Sequence, residues 1–428
     1  MMKILKNKTA KNALWLIFEK IFNMSISLVT LALIARYLGP EKYGMLTYAI
    51  AFVALFAIFS TLGLDSVNVK SIVQKEAKEG TILFTSLCMR LIGSIIIIVL
   101  SLVAIIVTGI EDKTQIILII MMSGVYIFRS LEVIEYWIQA YQNARLSSLV
   151  RMVVAFISAV LKVCVVYLDL GILLLGFIYI IDVILIGLGL IFVYMKFREQ
   201  KSKWKFSFEY VKSALSQSWY LIISGILVTC YTQLDKVFLG NLASKEDLGI
   251  YMAALAVSSL WIFIPQALIN SFKPVIMRLK TLDEKAYIIK IQQMYSTLMV
   301  INIICAIMVF LFSDLIIAIL YGEKYGAASN LLTITVWAGC FSVLGTARGI
   351  WMLCEGIQKY SIFYLGFGAV FSIAMNLILI PKFGPLGAAI TILCTEILTT
   401  IIAPMFFLET RLFSKMFFKA ILLKNLKG

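Results

Sequence analysis

ARYLGPEKYGMLTYA, residues 35–49, interrupts what would otherwise be one apolar helix running from residue 12 to beyond residue 60. Its reading decides how often the chain crosses an apolar layer. Leu38-Gly39-Pro40 is a stop signal, because glycine adopts backbone angles other residues avoid and proline donates no amide hydrogen to a helix passing through it. Glu41 and Lys42 supply a short polar loop, and Gly44 opens a second apolar run. A helix needs about 20 apolar residues to cross hydrocarbon. The windows 12–35 and 44–64 therefore read as two crossings joined by a tight turn.

The same reading, carried along the 428 residues, gives ten further windows: 82–108, 115–138, 148–168, 171–195, 215–240, 248–270, 288–313, 328–353, 360–380 and 385–408. The split between 148–168 and 171–195 rests on Asp169 and Gly171 alone. Composition agrees: 62% of residues are hydrophobic, 14% are charged, and mean hydropathy is +0.99. Soluble domains are about half apolar and roughly a quarter charged. The fold class is an all-α membrane protein of twelve transmembrane helices in two parallel six-helix bundles.

Net charge is +15, from 38 basic and 23 acidic residues. In a soluble chain that balance would point to nucleic acid; in a membrane chain it marks cytoplasmic loops. Only Lys42, Lys113, Lys245, Lys324 and Lys382 fall in alternate loops, whereas the remaining loop bases crowd the other side. That asymmetry predicts both termini inside. The densest stretch, KFREQKSKWKFSFEYVKSA, is a cytoplasmic basic linker at 196–214 that divides an N-terminal bundle (1–195) from a C-terminal bundle (215–408). Lys alternates there with Trp204, Phe206, Phe208 and Tyr210, a pattern suited to an anionic membrane surface. The tail, 409–428, reads as a cytoplasmic amphipathic helix with Arg411, Lys415 and Lys419 on one face. The basic N-terminus leads into a retained first helix rather than a cleaved leader.

The halves echo each other. LGPEKYGMLTYAIAF (38–52) resembles LGNLASKEDLGIYMAALAV (239–257), and YWIQAYQNARLSS (136–148) resembles IWMLCEGIQKYSI (350–362), with Trp137 and Trp351 in register. Parallel repeats of this kind build transporters that hold substrate between their halves.

Charges inside the spans cost about 2.5–3.5 kcal/mol at a helix centre and so face a bundle interior or water. They are Glu19, Lys20, Arg90, Arg129, Glu132, Glu135, Lys162, Asp182, Asp235, Lys236, Arg348 and Glu396. Arg129, Glu132 and Glu135 share IFRSLEVIEYWIQ (127–139) at spacings of three, either as a self-neutralising ladder or as a cavity wall. Asp235 and Lys236 are adjacent and point in different directions. Lys20, Arg90, Lys162 and Arg348 have no carboxylate three or four residues away, so they need partners elsewhere or a water-filled cavity. The cavity between the halves is expected to be basic and to suit an anion. Asp182, Asp235 and Glu396 are candidates for ion coupling or for structural pairing. Arg36, Arg151 and Lys290, at span edges, can reach water by snorkelling.

Several chemistries are excluded. There is no histidine, hence no Ser-His or Cys-His pair and no histidine metal site. The seven cysteines are scattered without a CxxC, so no metal and no disulfide framework is expected. No phosphate-binding GxxxxGK[ST] loop occurs. The chain is expected to need no cofactor and to be no enzyme.

Four stretches resemble the Wzx-type polysaccharide flippases of the MOP superfamily, which also holds the MATE exporters and the lipid II flippase. They are ARYLGPEKYGMLTYA with Gly63-Leu64-Asp65, YWIQAYQNAR (136–145), QLDKVFLG (233–240) with LGIY (248–251), and NLILIPKFGPLGAAI (376–390). The resemblance covers nearly the whole chain, and its motifs are helix ends and turns rather than catalytic groups. It implies a flippase moving undecaprenyl-pyrophosphate-linked oligosaccharide from the inner to the outer leaflet of a bacterial cytoplasmic membrane, for O-antigen, capsule or exopolysaccharide synthesis. Implied partners are the lipid-linked substrate, membrane lipids, a polysaccharide polymerase and assembly proteins, and no nucleic acid. The general role of anion binding then falls to Lys20, Arg90, Arg129, Lys162 and Arg348. A MATE-like cation exporter would want an acidic cavity. A polymerase or glycosyltransferase would want a large outer loop or catalytic domain, which the spans leave no room for. A scaffold would not retain so many buried charges.

Overall fold

The computed structural model describes residues 8–198 and 202–411, and among these every regular element is helical. Eleven helical segments are long and apolar enough to cross a membrane. The count turns on the opening stretch. Helix α1 (Lys8–Ala54) is 47 residues long but is broken at Gly39, whose φ of 70° and ψ of 170° are not helical. At 1.5 Å per residue, 47 residues would span about 70 Å, more than twice a hydrocarbon core of about 30 Å. Gly39 takes the positive φ without a Cβ penalty, and Pro40 starts the second arm where its missing N–H is not needed. The window 44–64 is not one straight helix: the second arm ends at Ala54, and a turn leads to α2 (Ile58–Thr61) and α3 (Leu64–Gln74).

The following helices are α4 (Glu79–Thr108), α5 (Lys113–Arg129), α6 (Ile134–Ala140), α7 (Ala144–Tyr167) and α8 (Ile172–Phe197). Asp169 and Gly171, at φ 51° and 85°, turn the chain between α7 and α8. Next come α9 (Phe208–Leu242), α10 (Lys245–Leu260), α11 (Phe263–Leu282), α12 (Glu284–Leu320), α13 (Ala328–Glu355), α14 (Tyr360–Phe383) and α15 (Pro385–Ile397). Ser244-Lys-Glu-Asp247 forms a capping box at the start of α10, with the Asp247 amide donating to Ser244 Oγ at 3.0 Å and the Ser244 amide donating to Asp247 Oδ2 at 3.3 Å.

The chain divides into two compact units, Met1–Leu38 with Met45–Ile226, and Gly39–Gly44 with Leu227–Gly428. The first has a core of Leu64, Ile82, Leu83, Trp137, Leu190 and Tyr210. The second has a core of Ile276, Tyr287, Met294, Tyr295, Leu344, Trp351 and Tyr364. Trp137 and Trp351, aligned in sequence, are each buried in the core of their own unit. Exposure is inverted relative to a soluble protein: Ile106, Val107, Phe156, Phe310 and Val370 are exposed while Arg90, Asp235, Arg348 and Glu396 are buried. That inversion is what lipid as solvent demands.

Within the second unit the two echoed turns pack on each other through glycine. A Cβ on Gly44 would lie 1.7 Å from the Lys245 carbonyl oxygen, and one on Gly249 would lie 1.9 Å from that of Pro40. Each glycine meets the carbonyl four residues before its counterpart, so the contact is reciprocal.

Residues 202–207 lie along the first turns of α4. Gly80 N–H donates to Ser202 Oγ at 2.8 Å and Ser207 N–H to Thr85 Oγ1 at 3.1 Å. The Trp204 ring sits 6.0 Å from Phe84 and 6.1 Å from Tyr194. Trp204 thus packs on protein yet stays 36% exposed, and Phe206 and Phe208 are exposed as well. The tail beyond residue 411 lies outside the described residues.

Candidate functional site

The stretch 127–139 bends at its charges. Helix α5 ends at Arg129, a 3-10 turn covers Ser130–Val133, and α6 begins at Ile134. The Ser130 hydroxyl donates to the Ile127 carbonyl, a local bond that competes with the α-helical ladder. A 3-10 turn has three residues per turn, so residues three apart stand above one another. Arg129, Glu132 and Glu135 are spaced by three, and all line one cavity of about 380 Å³.

Arg90, from α4, lines the same cavity and is buried. Its Nη1 donates to the Tyr136 hydroxyl at 3.2 Å, which donates to Asp65 Oδ1 at 2.9 Å. Arg90 Nε is buried without a hydrogen-bond partner. Arg129 makes a loose 3.6 Å contact with Glu132, and its guanidinium lies 5.7 Å from the Tyr126 ring centre. Behind the wall, Arg151 of α7 reaches Glu132 at 3.2 Å and Glu135 at 3.5 Å. Arg90 and Arg129 thus face Asp65, Glu132 and Glu135 in this cavity, with Arg151 behind its wall, and the lining is mixed in charge.

A neighbouring cavity of about 410 Å³ is lined by Glu19, Asn23, Arg151, Lys162, Tyr179 and Asp182, among others. Lys162 pairs with Asp182 at 3.1 Å, Ser158 donates to the same oxygen at 2.8 Å, and the ammonium lies 4.5 Å from the Tyr179 ring centre. Glu19 accepts from Ser148 at 2.7 Å. Lys20, on the exposed face of α1, lines neither cavity.

The second unit treats its charges differently. A π turn over Leu398–Ile402 sends the Ala403 N–H to the Leu398 carbonyl, five residues back. Pro404 has no N–H to offer Thr400. The carbonyls of Thr399 and Thr400 are thereby released from the helix, and Arg348 Nη1 donates to both, at 2.6 and 3.2 Å. The same guanidinium lies 4.7 Å from the Tyr364 ring centre. Asp235 accepts from the Tyr251 hydroxyl at 2.7 Å, while Lys236 donates to the Thr232 carbonyl at 2.6 Å and to Gln233 at 2.9 Å. The neighbours in sequence hold separate partners, as adjacent helix positions require. Glu396 is buried, with Arg348 near enough to act on it electrostatically.

Of the five bases singled out in the sequence, the structure brings Arg90 and Arg129 into one cavity. It places Lys162 in the neighbouring cavity and Arg348 on a helix break in the other unit. Arg151, read as an edge residue free to snorkel, is instead partly buried between two glutamates. A charge count held the signal: Glu132 and Glu135 outnumber Arg129 on their helix, so a second base had to come from another. Asp65 and Gln139, read only as parts of turn motifs, also line the cavity.

Residues 9–279 match the family described as polysaccharide biosynthesis protein, and residues 221–378 match MatE. The capsular polysaccharide biosynthesis protein CapF of Staphylococcus aureus is 22% identical over 400 residues, covering 91% of this chain and 97% of CapF. The fold is shared with the lipid II flippase MurJ in its inward closed conformation, at a TM-score of 0.76 and 15% identity over 95% of this chain and 90% of MurJ. It is shared too with an inward-facing multidrug resistance MATE transporter of the MOP superfamily, at a TM-score of 0.71 and 16% identity over 95% and 99% of the two chains.

Proposed function

The chain belongs to the family of polysaccharide biosynthesis proteins, and from that premise we propose that it is a flippase for oligosaccharide linked to a polyprenyl pyrophosphate. The reading is carried by one observation: Arg90 and Arg129 meet Asp65, Glu132, Glu135 and Gln139 in a single cavity of a multi-span protein. Sugar and pyrophosphate do not enter hydrocarbon unaided. Guanidinium groups pair with phosphate oxygens in a fixed fork, and carboxylates and amides take sugar hydroxyls. Arg129, with 47% of its side chain exposed and a loose glutamate contact, has donors to spare for the pyrophosphate. Arg151 neutralises the glutamates from behind, so the anion does not meet uncompensated negative charge. The prenyl tail stays in lipid along the exposed apolar faces.

In this reading the chain works as two six-span repeats with both ends in the cytoplasm. It hands its cargo to the outer leaflet of a cytoplasmic membrane, for use by a polymerase and assembly proteins. With the cytoplasm negative, outward movement of an anion is favoured by about 2.3 kcal/mol per charge per 100 mV, a drive that needs no nucleotide.

A second reading, a cation exporter, is favoured by the MatE match at 221–378 and by the three carboxylates of the cavity. One assay separates the two. Proteoliposomes are loaded with fluorescent polyprenyl-pyrophosphate oligosaccharide or with a cationic dye. Wild type moves the glycolipid, and Arg129→Ala slows it roughly tenfold, as loss of a charge-assisted hydrogen bond predicts. The stability of that variant changes by less than about 1 kcal/mol, because its ion pair is half exposed. Movement of the dye with no movement of glycolipid makes the protein an exporter.

A further inference from the structure

Beside the arginine cavity lies a second space of about 430 Å³, and Asp65 and Gln139 line both. The rest of its wall comes from α3. That helix buries Leu64, Val67, Asn68, Ser71 and Ile72 and turns two rows towards the space. Asp65, Val69 and Val73 form one row, and Ser66, Lys70 and Gln74 the other. Residues four apart on a helix stand in line, so a row with two valines runs beside a polar row. Val73 is 60% exposed and so accessible to a ligand in this space.

The charges of this space are already engaged. Lys70 donates to Gln217 at 3.0 Å and pairs with Glu76 at 3.6 Å, and Asp65 accepts from Tyr136. What remains on offer is hydroxyl, amide and carboxylate chemistry next to a small apolar strip. A sugar ring matches it, with a C–H face for the valines and hydroxyls for the polar row. A phosphate matches it less well than the arginine cavity, because its one cation, Lys70, already holds both Gln217 and Glu76.

We propose that this space holds the first sugar of the headgroup while the adjoining arginine cavity holds the pyrophosphate. The inference rests on the flippase reading and assigns the two chemical parts of that substrate to two adjoining compartments. Sugar and pyrophosphate are joined by a single glycosidic oxygen, so their sites must share a wall, and Asp65 and Gln139 are that wall.

The test is binding to the full chain in nanodiscs of two probes, polyprenyl pyrophosphate and the same lipid carrying one hexose. Wild type binds the sugar-bearing probe about tenfold more tightly, the worth of one or two hydrogen bonds. Gln74→Ala and Val73→Asn, both at exposed positions, each cut that preference about threefold or more and leave affinity for the sugar-free probe unchanged. If both variants weaken the two probes equally, or keep the full preference, the sugar assignment is overturned. If wild type binds both probes equally, the assignment falls and the flippase reading stands. If it binds neither, both fall.

Discussion

Apart from the Lys280–Glu355 pair of the second unit, at 2.8 Å, the two units hold their buried charges by different means. In the first, side chain meets side chain around open space: Arg129, Glu132, Glu135 and Arg151 form a chain of ion pairs, and Lys162 meets Asp182 at the wall of a cavity. In the second, Arg348 and Lys236 bind carbonyls of the backbone, and Asp235 takes a tyrosine hydroxyl. Both arrangements meet the cost of charge inside a membrane span. They differ in what is left over. A carbonyl-bound arginine is committed to holding a helix together. A guanidinium facing a cavity can exchange its partner for a ligand.

That contrast can be broken by mutation. The largest effect is expected at Arg348. Arg348→Ala leaves the Thr399 and Thr400 carbonyls buried and unpaired, which costs about 3 kcal/mol or more. Thermal unfolding in detergent, followed by loss of monodisperse protein, measures it; an unchanged midpoint would show that the π turn holds without its arginine. Next comes Gly249→Ala, which drives a methyl into the Pro40 carbonyl 1.9 Å away. Overpacking of this kind costs about 1–3 kcal/mol, and the same unfolding midpoint reports it. If Gly249→Ala is neutral, the reciprocal glycine contact is not tight in solution.

The smallest effect sharpens the comparison in the first unit. Lys162→Met alone destabilises by about 1 kcal/mol, since Asp182 is left at a cavity that water can reach, where the loss approaches that of a solvated pair. Adding Asp182→Leu restores most of the loss, because removing both members of a pair removes the unmatched charge. A double variant worse than the single would mean that Lys162 and Asp182 serve separate partners.

Most of the spans were legible in the sequence because lipid imposes a length and a polarity on each one. Leu38-Gly39-Pro40 announced its turn through local chemistry alone. The route of the second span was less legible. Nothing near Phe56 breaks the apolar run, yet the chain turns at 55–57 and again at Leu62 and Gly63, at φ 49° and 63°.

Sequence by itself determined that this chain lives in lipid, where its helices stop, and which side chains are charged where charge is costly. Those are local properties, set by hydrophobic run length, by glycine and proline, and by the identity of each residue. Only the tertiary structure decided which charge meets which. Arg151 and Glu132 lie 19 positions apart, and Arg348 and Thr399 lie 51 apart. Such pairings depend on which faces of separate helices come together, and helix periodicity fixes a face but not its neighbour.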